Sequence, residues 1–474
     1  MPDPRRWIAL ALLCVTQFMV ILDVAIVNVA LPAIQTDLGF SEQGLQWVLS
    51  AYTLTFGGFL MLGGRVSDLL GRRRVFMVGI VVFGLASLAC GVATSSEVLI
   101  GARAVQGLGA AIISPAALSI VTTTFAQGRE RNIALGVWGA IAGVGGAVGV
   151  LLGGILTDAL SWNWIFWINV PIALVVLLLT PRMVRESRVE GMLRHFDALG
   201  ALTITGGLVV LVFALVKAPD YGWVSPTTLV LLAASLVLLT AFVIIERRSP
   251  SPLVPLGIFR NRSLSAANVV AFLLGAAVVS MFFFLSLHMQ QVLGYSALKT
   301  GIAYLSISVT IVLASGASQT LVTKMGVRPV LIAGMALTAI GIGLFAQISV
   351  GGSYVTTLLP GFIVAGVGLG FAFVPVTIAA LQGVHPGEAG VASGLINTTQ
   401  QIGGALGIAV LSTVAFTHQA TLVARGIATP EATASGFRWA FWVGAGMAVA
   451  GLVAALLFVQ GGTPDPTPAP VPIA

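Results

Sequence analysis

Long apolar segments alternate with short polar connectors along the whole chain. Fourteen of these segments are long enough for a helix of ~20 residues to cross a bilayer. The connectors hold most of the charged residues, so each is predicted to end one helix and to begin the next. The predicted helices span residues 8–30, 45–62, 75–93, 98–122, 132–156, 163–180, 198–217, 226–245, 266–290, 300–322, 329–349, 355–380, 391–415 and 437–459.

The composition supports the same interpretation. The chain has 474 residues, of which 57% are hydrophobic and only 8% are charged, and its mean hydropathy is +1.03. These values exclude an ordinary soluble domain and indicate an all-α polytopic membrane protein in a lipid bilayer. Cys14 and Cys90 both lie inside apolar segments, and we expect no disulfide between them.

The positive charges set the expected orientation. If the N-terminus is cytoplasmic, the internal connectors hold eighteen Lys and Arg residues and the external ones hold four. This is the positive-inside pattern. It places both termini in the cytoplasm and explains the net charge of +7 without a nucleic-acid partner. The first segment follows Arg5 and Arg6 but lacks a small-residue cleavage site, so we expect it to remain as the first span of a cell-membrane protein.

Two charged residues lie well inside predicted spans. Asp23 is in the first span and Arg103 is in the fourth, at similar depths, with Gln106 close to Arg103 along the chain. A carboxylate inside a membrane costs ~2.5–3.5 kcal/mol on the insertion scale, which makes it a functional candidate by default. Asp23 is therefore predicted to be a proton-coupling carboxylate, with Arg103 and Gln106 close enough to interact with it. A structural pair that only joins two helices is the alternative.

The connector Gly63–Arg74 has the spacing G-x-x-x-D-x-x-G-R-R-R. Its glycines permit a tight turn and close backbone approach, and its three arginines mark the cytoplasmic side. The segment resembles the loop between the second and third helices of major facilitator superfamily transporters, where it acts as a cytoplasmic gate. A plain positive-inside loop is the alternative. The residues that the resemblance assigns to the gate are Gly64, Asp68, Gly71, Arg72 and Arg73.

The fifth span contains glycines at helical spacing, which create a smooth face for close helix packing. The pattern resembles the antiporter signature helix of the same superfamily, with Val150 where that signature usually has proline. The chain therefore lacks the kink that a proline imposes there. Generic packing of small residues is the alternative. The glycines of the pattern are Gly136, Gly145, Gly149, Gly153 and Gly154.

Polar and aromatic residues on several spans are candidates for a central substrate cavity. Those of the thirteenth span are too polar to face lipid, although hydrogen bonds between helices explain them as well as substrate contact does. A histidine at the outer end of a span is more often a structural hydrogen-bonder than a coupling group. The predicted cavity residues are Asn28, Trp138, Phe283, His288, Asn397, Gln400 and Gln401.

Further strings extend the resemblance over nearly the whole chain. They are LDVAIVNVALP in the first span, RAVQGLG in the fourth and WNWIFWINVPI at the sixth. Together with the connector and the glycine helix, they resemble the fourteen-helix drug:proton antiporters. Trp162, Trp164 and Trp167 are also explained as an interfacial aromatic belt, so the last string supports the family and not a chemical role.

The resemblance implies the major facilitator fold, with two six-helix halves that rock around a central cavity and two inserted central helices. Lys324, Gly326 and Arg328 form a weaker copy of the charged connector, which fits two related halves. The expected divisions are the halves at residues 1–180 and 263–460, the linker loops and inserted helices at 181–262, and a disordered cytoplasmic tail at 461–474.

The implied function is proton-coupled export of apolar, neutral or monocationic small molecules by a monomer. The alternatives are an exporter dedicated to one lipid or self-made antibiotic, and a receptor or scaffold that transports nothing. A buried carboxylate at mid-helix favours a transporter over a scaffold, and no repeated filter or charged ring indicates a channel. The sequence has no P-loop, and we expect no metal, no cofactor and no enzymatic activity.

Overall fold

The computed structural model of the chain describes residues 6–125, 129–187, 197–250, 252–254, 256–384 and 389–459. All regular secondary structure in these ranges is helical, which confirms the all-α fold class. The predicted tail at 461–474 lies outside the described residues, as do Arg5, Arg188 and Arg194.

The described ranges contain sixteen α-helices, two of which are single turns that lead into a longer helix. Several helices are preceded by a residue whose side chain accepts from a backbone N–H group of the first turn, such as Ser95 before α5 and Asn261 before α11. The helices are α1 (Arg6–Leu38), α2 (Glu42–Leu45), α3 (Trp47–Leu70), α4 (Arg72–Gly91), α5 (Ser96–Thr124), α6 (Arg129–Ala159), α7 (Trp164–Trp167), α8 (Asn169–Met183), α9 (Ala198–Tyr221), α10 (Pro226–Arg248), α11 (Arg262–Leu287), α12 (Ala297–Met325), α13 (Val327–Phe345), α14 (Leu359–Leu381), α15 (Ala389–Ala424) and α16 (Thr429–Phe458).

Thirteen helical segments in the described part of the chain are long and apolar enough to cross a membrane. The helix α6, whose described apolar stretch is Val144–Ala159, lies between the fourth and the fifth of them and is the fourteenth span. Each predicted span therefore corresponds to a helix. Three shorter pieces complete the path, namely a 3-10 turn at Leu256–Arg260 and π-helical turns at His288–Val292 and Tyr354–Leu358.

The charged connector Gly63–Arg74 is not the loop that the sequence predicts. The helix α3 continues to Leu70 and α4 begins at Arg72, so only Gly71 interrupts the helical path. Polar residues at a helix end can stay helical where the helix leaves the apolar region. The turn itself needs only one residue, Gly71, at φ +108°, a conformation that glycine adopts readily. Gly326 makes the same turn between α12 and α13 at φ +87°, so the two connectors also match in geometry.

The helices form two groups, which we call the N-half (α1, α3–α6 and α8) and the C-half (α11–α16). Within each group the helices pack against one another, and one buried cluster also joins residues of α1 and α6 to the C-half. The helix α9 packs against α3 of the N-half and α15 of the C-half, and α10 packs against α9. The inserted pair therefore covers one seam between the halves.

We define the outer end of the bundle as the end at the C-terminus of α1, and the inner end as the opposite one. Hydrogen bonds join the halves at the outer end. Gln290 of the π-helical turn donates to the Val29 carbonyl over 2.8 Å, and Asp158 of α6 accepts from the Leu298 N–H of α12 over 2.9 Å. The structure is therefore held closed at its outer end.

Candidate functional site

A buried ion pair joins α1 to α5. Arg103 Nη1 lies 2.6 Å from Asp23 Oδ2, and the two side chains are 1% and 0% exposed. Both ions have lost their hydration at this depth, so removing one partner would leave the other charge uncompensated in apolar surroundings. Two of the predicted coupling residues are thus in direct contact.

Two amides donate to the other oxygen of the carboxylate. Gln106 Nε2 lies 2.7 Å and Asn169 Nδ2 lies 2.9 Å from Asp23 Oδ1. Gln106 also accepts from Arg103 Nη1 at 2.6 Å and donates to Ser87 Oγ of α4 at 2.8 Å. The network therefore joins four helices of the N-half, and Asp23 accepts from three side chains.

Asn169 is a site residue that the sequence analysis missed. It begins α8 and lies in the string interpreted as an aromatic belt. One feature of the sequence could have identified it. An amide within an apolar segment is buried on folding, and a buried amide must find a hydrogen-bond partner. The belt itself holds for Trp164, which is 42% exposed. It does not hold for Trp162, which is buried and donates to Asp37 Oδ2 over 2.7 Å.

The rest of the Arg103 guanidinium is held by α3 and α7. Its Nε donates to the Val48 carbonyl over 3.0 Å. Its Cζ lies 4.3 Å from the centre of the Tyr52 ring and 5.7 Å from that of Phe166. A cation over an aromatic face is stabilised by the ring quadrupole. These contacts do not depend on the charge of Asp23.

In the predicted gate, Asp68 pairs within its own half. Arg72 Nη2 lies 2.8 Å from Asp68 Oδ1, and Ser119 Oγ of α5 donates to the same oxygen over 3.2 Å. Gly64 allows α3 to approach α5, since an added Cβ would lie 3.3 Å from the Pro115 ring. The described partners of Asp68 all belong to the N-half, so no clamp across the halves is formed in this arrangement.

Glu186 supports the gate from the end of the first half, and the sequence analysis did not identify it. Its carboxylate accepts from the backbone N–H groups of Arg73 at 3.1 Å and Arg74 at 3.2 Å. It therefore caps the N-terminus of α4, where a negative charge is favourable. The φ angle of +108° is what requires glycine at position 71, since the atom nearest to an added Cβ is the end of the flexible Glu186 side chain, which can move.

Three of the predicted antiporter glycines, Gly145, Gly149 and Gly153, pack against α1. An added Cβ at Gly149 would lie 2.7 Å from Ala25 Cβ. Because these glycines have no side chains, α6 can pack closely against α1, the helix that carries the buried carboxylate. The surroundings of Gly136 lie outside what the structure describes.

The fourth described glycine, Gly154, faces α12 of the C-half instead. An added Cβ would lie 2.7 Å from Leu298 Cα. The contact is reciprocal, because a Cβ at Gly301 of α12 would lie 2.5 Å from the Val150 carbonyl oxygen. The helix α6 therefore packs on α1 with one face and closes the outer seam between the halves with another.

The structure does not bring the predicted cavity residues together. Phe283 and His288 are fully buried in the C-half, because this face of α11 packs into an aromatic cluster in which the Phe283 and Phe284 rings are 5.1 Å apart. Neither side chain is exposed in this arrangement, so their part in a substrate cavity stays a prediction.

The other predicted cavity residues are dispersed. Asn28 and Asn397 donate to carbonyls of their own helices over 2.9 Å each. Trp138 packs against the buried cluster of the N-half. Gln400 and Gln401 are partly exposed on α15, where Gln401 approaches α3 of the other half. Their role in substrate contact stays a prediction.

Comparisons with known proteins agree with this architecture. A family model described as the Major Facilitator Superfamily matches residues 13–408. The chain is 41% identical over 438 residues to the puromycin resistance protein pur8 of Streptomyces alboniger, an alignment that covers 92% of this chain and 87% of that one. It is also 41% identical over 409 residues to the cephamycin export protein CmcT of Amycolatopsis lactamdurans, with 86% and 84% covered.

Solved structures give the same fold at lower sequence identity. The crystal structure of an auto-inhibited POT family peptide transporter superposes with a TM-score of 0.71 at 15% identity, covering 97% of this chain and 99% of that one. Likeness at this level of identity supports the fold alone.

Proposed function

The chain belongs to the Major Facilitator Superfamily, and we propose that it is an antiporter that exchanges a drug for protons by alternating access. Relatives that are 41% identical to it are named for antibiotic resistance and antibiotic export. Export of drug-like small molecules is therefore its function, and proton exchange is the proposed mechanism of coupling.

The buried pair of Asp23 and Arg103 carries the proposal. With Asp23 ionised, the pair is neutral overall. A proton on Asp23 leaves the Arg103 charge uncompensated in apolar surroundings, which is strongly unfavourable. The protonated state therefore favours an arrangement in which water or substrate reaches Arg103. A proton thus shifts the population between two arrangements of the halves, which is what coupling requires.

The surrounding groups have distinct roles in this proposal. Gln106 and Asn169 donate to Asp23 Oδ1, so they orient the carboxylate and stabilise its ionised form. Tyr52 and the Val48 carbonyl hold the guanidinium of Arg103. The cation therefore stays fixed while only the proton moves.

The proposed substrates are neutral or monocationic and largely apolar. Asp23 lies near the middle of α1 and is already balanced by Arg103, so this site offers no free countercharge. A dication would need several countercharges in a medium of low dielectric constant. Apolar drugs are instead bound by aliphatic and aromatic walls, as in most small-molecule sites.

The proposed setting is the cell membrane, with both termini and the inner end in the cytoplasm and with the chain acting as a monomer. The clustering of Lys and Arg at the inner connectors supports this orientation. The gate residues Asp68 and Arg72 lie at the inner end, where we propose that they contact the C-half when that end closes.

A second candidate is an exporter dedicated to one antibiotic. It is favoured by the names of the two relatives, each of which refers to a single antibiotic or antibiotic class. A panel of unrelated apolar drugs discriminates between the two functions, since a dedicated exporter transports one of them and a multidrug exporter transports several.

The test is transport in proteoliposomes with a pH gradient and a membrane potential imposed separately. Asp23→Asn should keep the fold but reduce gradient-driven export to background. The matched control is Asp37→Asn, which changes another carboxylate on α1, at the outer end, where an amide oxygen can still accept from Trp162. Export by Asp23→Asn at the parent rate would contradict the proton-site assignment, and robust export of a dication would contradict the substrate class.

A further inference from the structure

Helix α1 contains a proline close to the point where it meets the C-half. Pro32 lies inside α1. Because proline has no N–H, the carbonyl of the residue four positions earlier, Asn28, receives no hydrogen bond within the helix. The backbone around this carbonyl is deeply buried, with Val27, Val29 and Ala30 at 0% exposure. A buried carbonyl without a donor is unfavourable, so it needs a partner from elsewhere.

That partner comes from the other half of the molecule. Ser286 of α11 donates from its hydroxyl to the Asn28 carbonyl. One turn later, Gln290 Nε2 donates to the carbonyl of Val29 over 2.8 Å. Ser286 is fully buried, so its hydrogen bond is shielded from water in this arrangement.

The π-helical turn His288–Val292 helps to aim these donors. In a regular α-helix, residues four apart share a face, whereas a π turn is wider and brings residues five apart onto one face as well. Gln291, five residues after Ser286, also reaches α1, where its Nε2 lies 2.7 Å from Gln35 Oε1. Three polar side chains of α11 and its π turn therefore contact α1 at the outer end.

We propose that Pro32, Ser286 and Gln290 form a latch that holds the outer end closed, with the proline-freed Asn28 carbonyl as its main acceptor. When the outer end opens, water enters and replaces Ser286 as the donor to that carbonyl, so the bond is exchanged and not merely lost. Ser286 and Gln290 are thus positioning residues of the transport cycle. The inference rests on the proposed alternating access, but not on the identity of the coupling ion or of the drug.

Closure of the latch is measured through the distance between the outer ends of the two halves. Spin labels on cysteines introduced at Leu160, 57% exposed after α6, and at Val350, 41% exposed after α13, report this distance by pulsed electron paramagnetic resonance without drug or proton gradient. The native thiols Cys14 and Cys90 are buried and free, and a chain without the added cysteines measures their background labelling.

Ser286→Ala leaves the Asn28 carbonyl without a donor, so the population with a long outer-end distance should rise roughly fivefold or more. The matched control is Ser280→Ala. Ser280 is equally buried on the same helix, but its hydroxyl donates to the Ala276 carbonyl of its own helix over 2.8 Å. This control should leave the distance distribution unchanged.

Pro32→Ala tests whether the proline is the reason that the Asn28 carbonyl needs a donor from α11. An alanine N–H at position 32 supplies the missing bond within α1, so Ser286→Ala should open the outer end much less in the Pro32→Ala background than in the parent chain. An equal effect in both backgrounds would overturn the role of the proline. Parent-like distances in Ser286→Ala would overturn the latch.

A pair of equal-sized variants keeps the test decisive if Pro32→Ala fails to fold. Ser286→Thr retains the hydroxyl and Ser286→Val does not, so the valine variant should open the outer end more than the threonine variant. Equal opening by both would overturn the proposal. Because these distances require neither transport nor a proton, failure of the latch is distinguishable from failure of Asp23 as the proton site.

Discussion

A single methyl group at Gly154 should separate the outer ends of the two halves. An added Cβ there would lie 2.7 Å from both the Ala297 carbonyl oxygen and Leu298 Cα of α12, whereas ordinary contact begins at 3.4 Å. Gly154→Ala therefore requires α12 to retreat by about 0.7 Å. Overpacking of this kind costs about 1–3 kcal/mol. Because the strain exists only while the outer end is closed, the ratio of closed to open molecules should fall roughly 5- to 150-fold.

The outer-end distance between labels at positions 160 and 350 measures this ratio. Gly154→Ala should lengthen it, and so should Gly301→Ala, which strains the same seam from α12. Gly146→Ala is the matched control, because no atom lies within 4 Å of its added Cβ. Gly149→Ala strains packing inside the N-half, so it should lower the midpoint of thermal unfolding and open the seam less than Gly154→Ala does. Equal opening by Gly149→Ala, or none by Gly154→Ala, would refute the reasoning.

Three further predictions concern the gate and the buried network. Asp68→Asn breaks a partly exposed ion pair, so the free energy of unfolding should fall by less than ~1 kcal/mol. Export should nevertheless drop and an inner-end cysteine should react faster from the cytoplasm, whereas unchanged reactivity would argue against a gate. Glu186→Ala removes the cap of α4 and should lower the free energy of unfolding, measured with denaturant, by about 0.5–2 kcal/mol. Glu186→Gln keeps one of the two acceptor oxygens and should recover part of this loss, and no recovery would show that the cap is not the cause. Asn169→Leu removes a donor to the ionised Asp23 and should cost about 1.5–3 kcal/mol of stability. This loss of stability should exceed that of Asn163→Leu, which breaks a hydrogen bond to a neutral carbonyl. Equal losses would contradict the idea that Asn169 donates to an ionised carboxylate.

Much of the architecture is predictable because the bilayer imposes strong constraints. A membrane helix needs about twenty apolar residues, so each of the fourteen apolar segments has a helix in the structure. Asp23 and Arg103 are also predictable as partners. A charge inside the bilayer must find a compensating group, and the sequence offers these two at similar depth.

Other contacts are not predictable from one sequence, because they depend on how helices distant in the chain pack. Asn169 is 146 residues from Asp23, and Glu186 is 113 residues from the backbone that it caps. Nothing in their local sequence identifies those partners. The full burial of Phe283 and His288 is unpredictable for the related reason that polarity and aromaticity do not indicate which faces of α11 and of the π-helical turn pack inward.

Helix α1 connects the buried charges to the closure of the outer end. Asp23 faces α5 and α8, Ala25 packs on the glycines of α6, and the Asn28 carbonyl accepts from α11. A Cβ at Gly149 would lie within 2.7 Å of Ala25, and packing this close transmits displacement because the interior is not compressible. Under the proposed coupling, a shift of α1 that follows protonation of Asp23 displaces α6 as well. The hydrogen bonds to α11 and the seam between α6 and α12 would then open together, which makes α1 the element through which one proton can change access to the whole site.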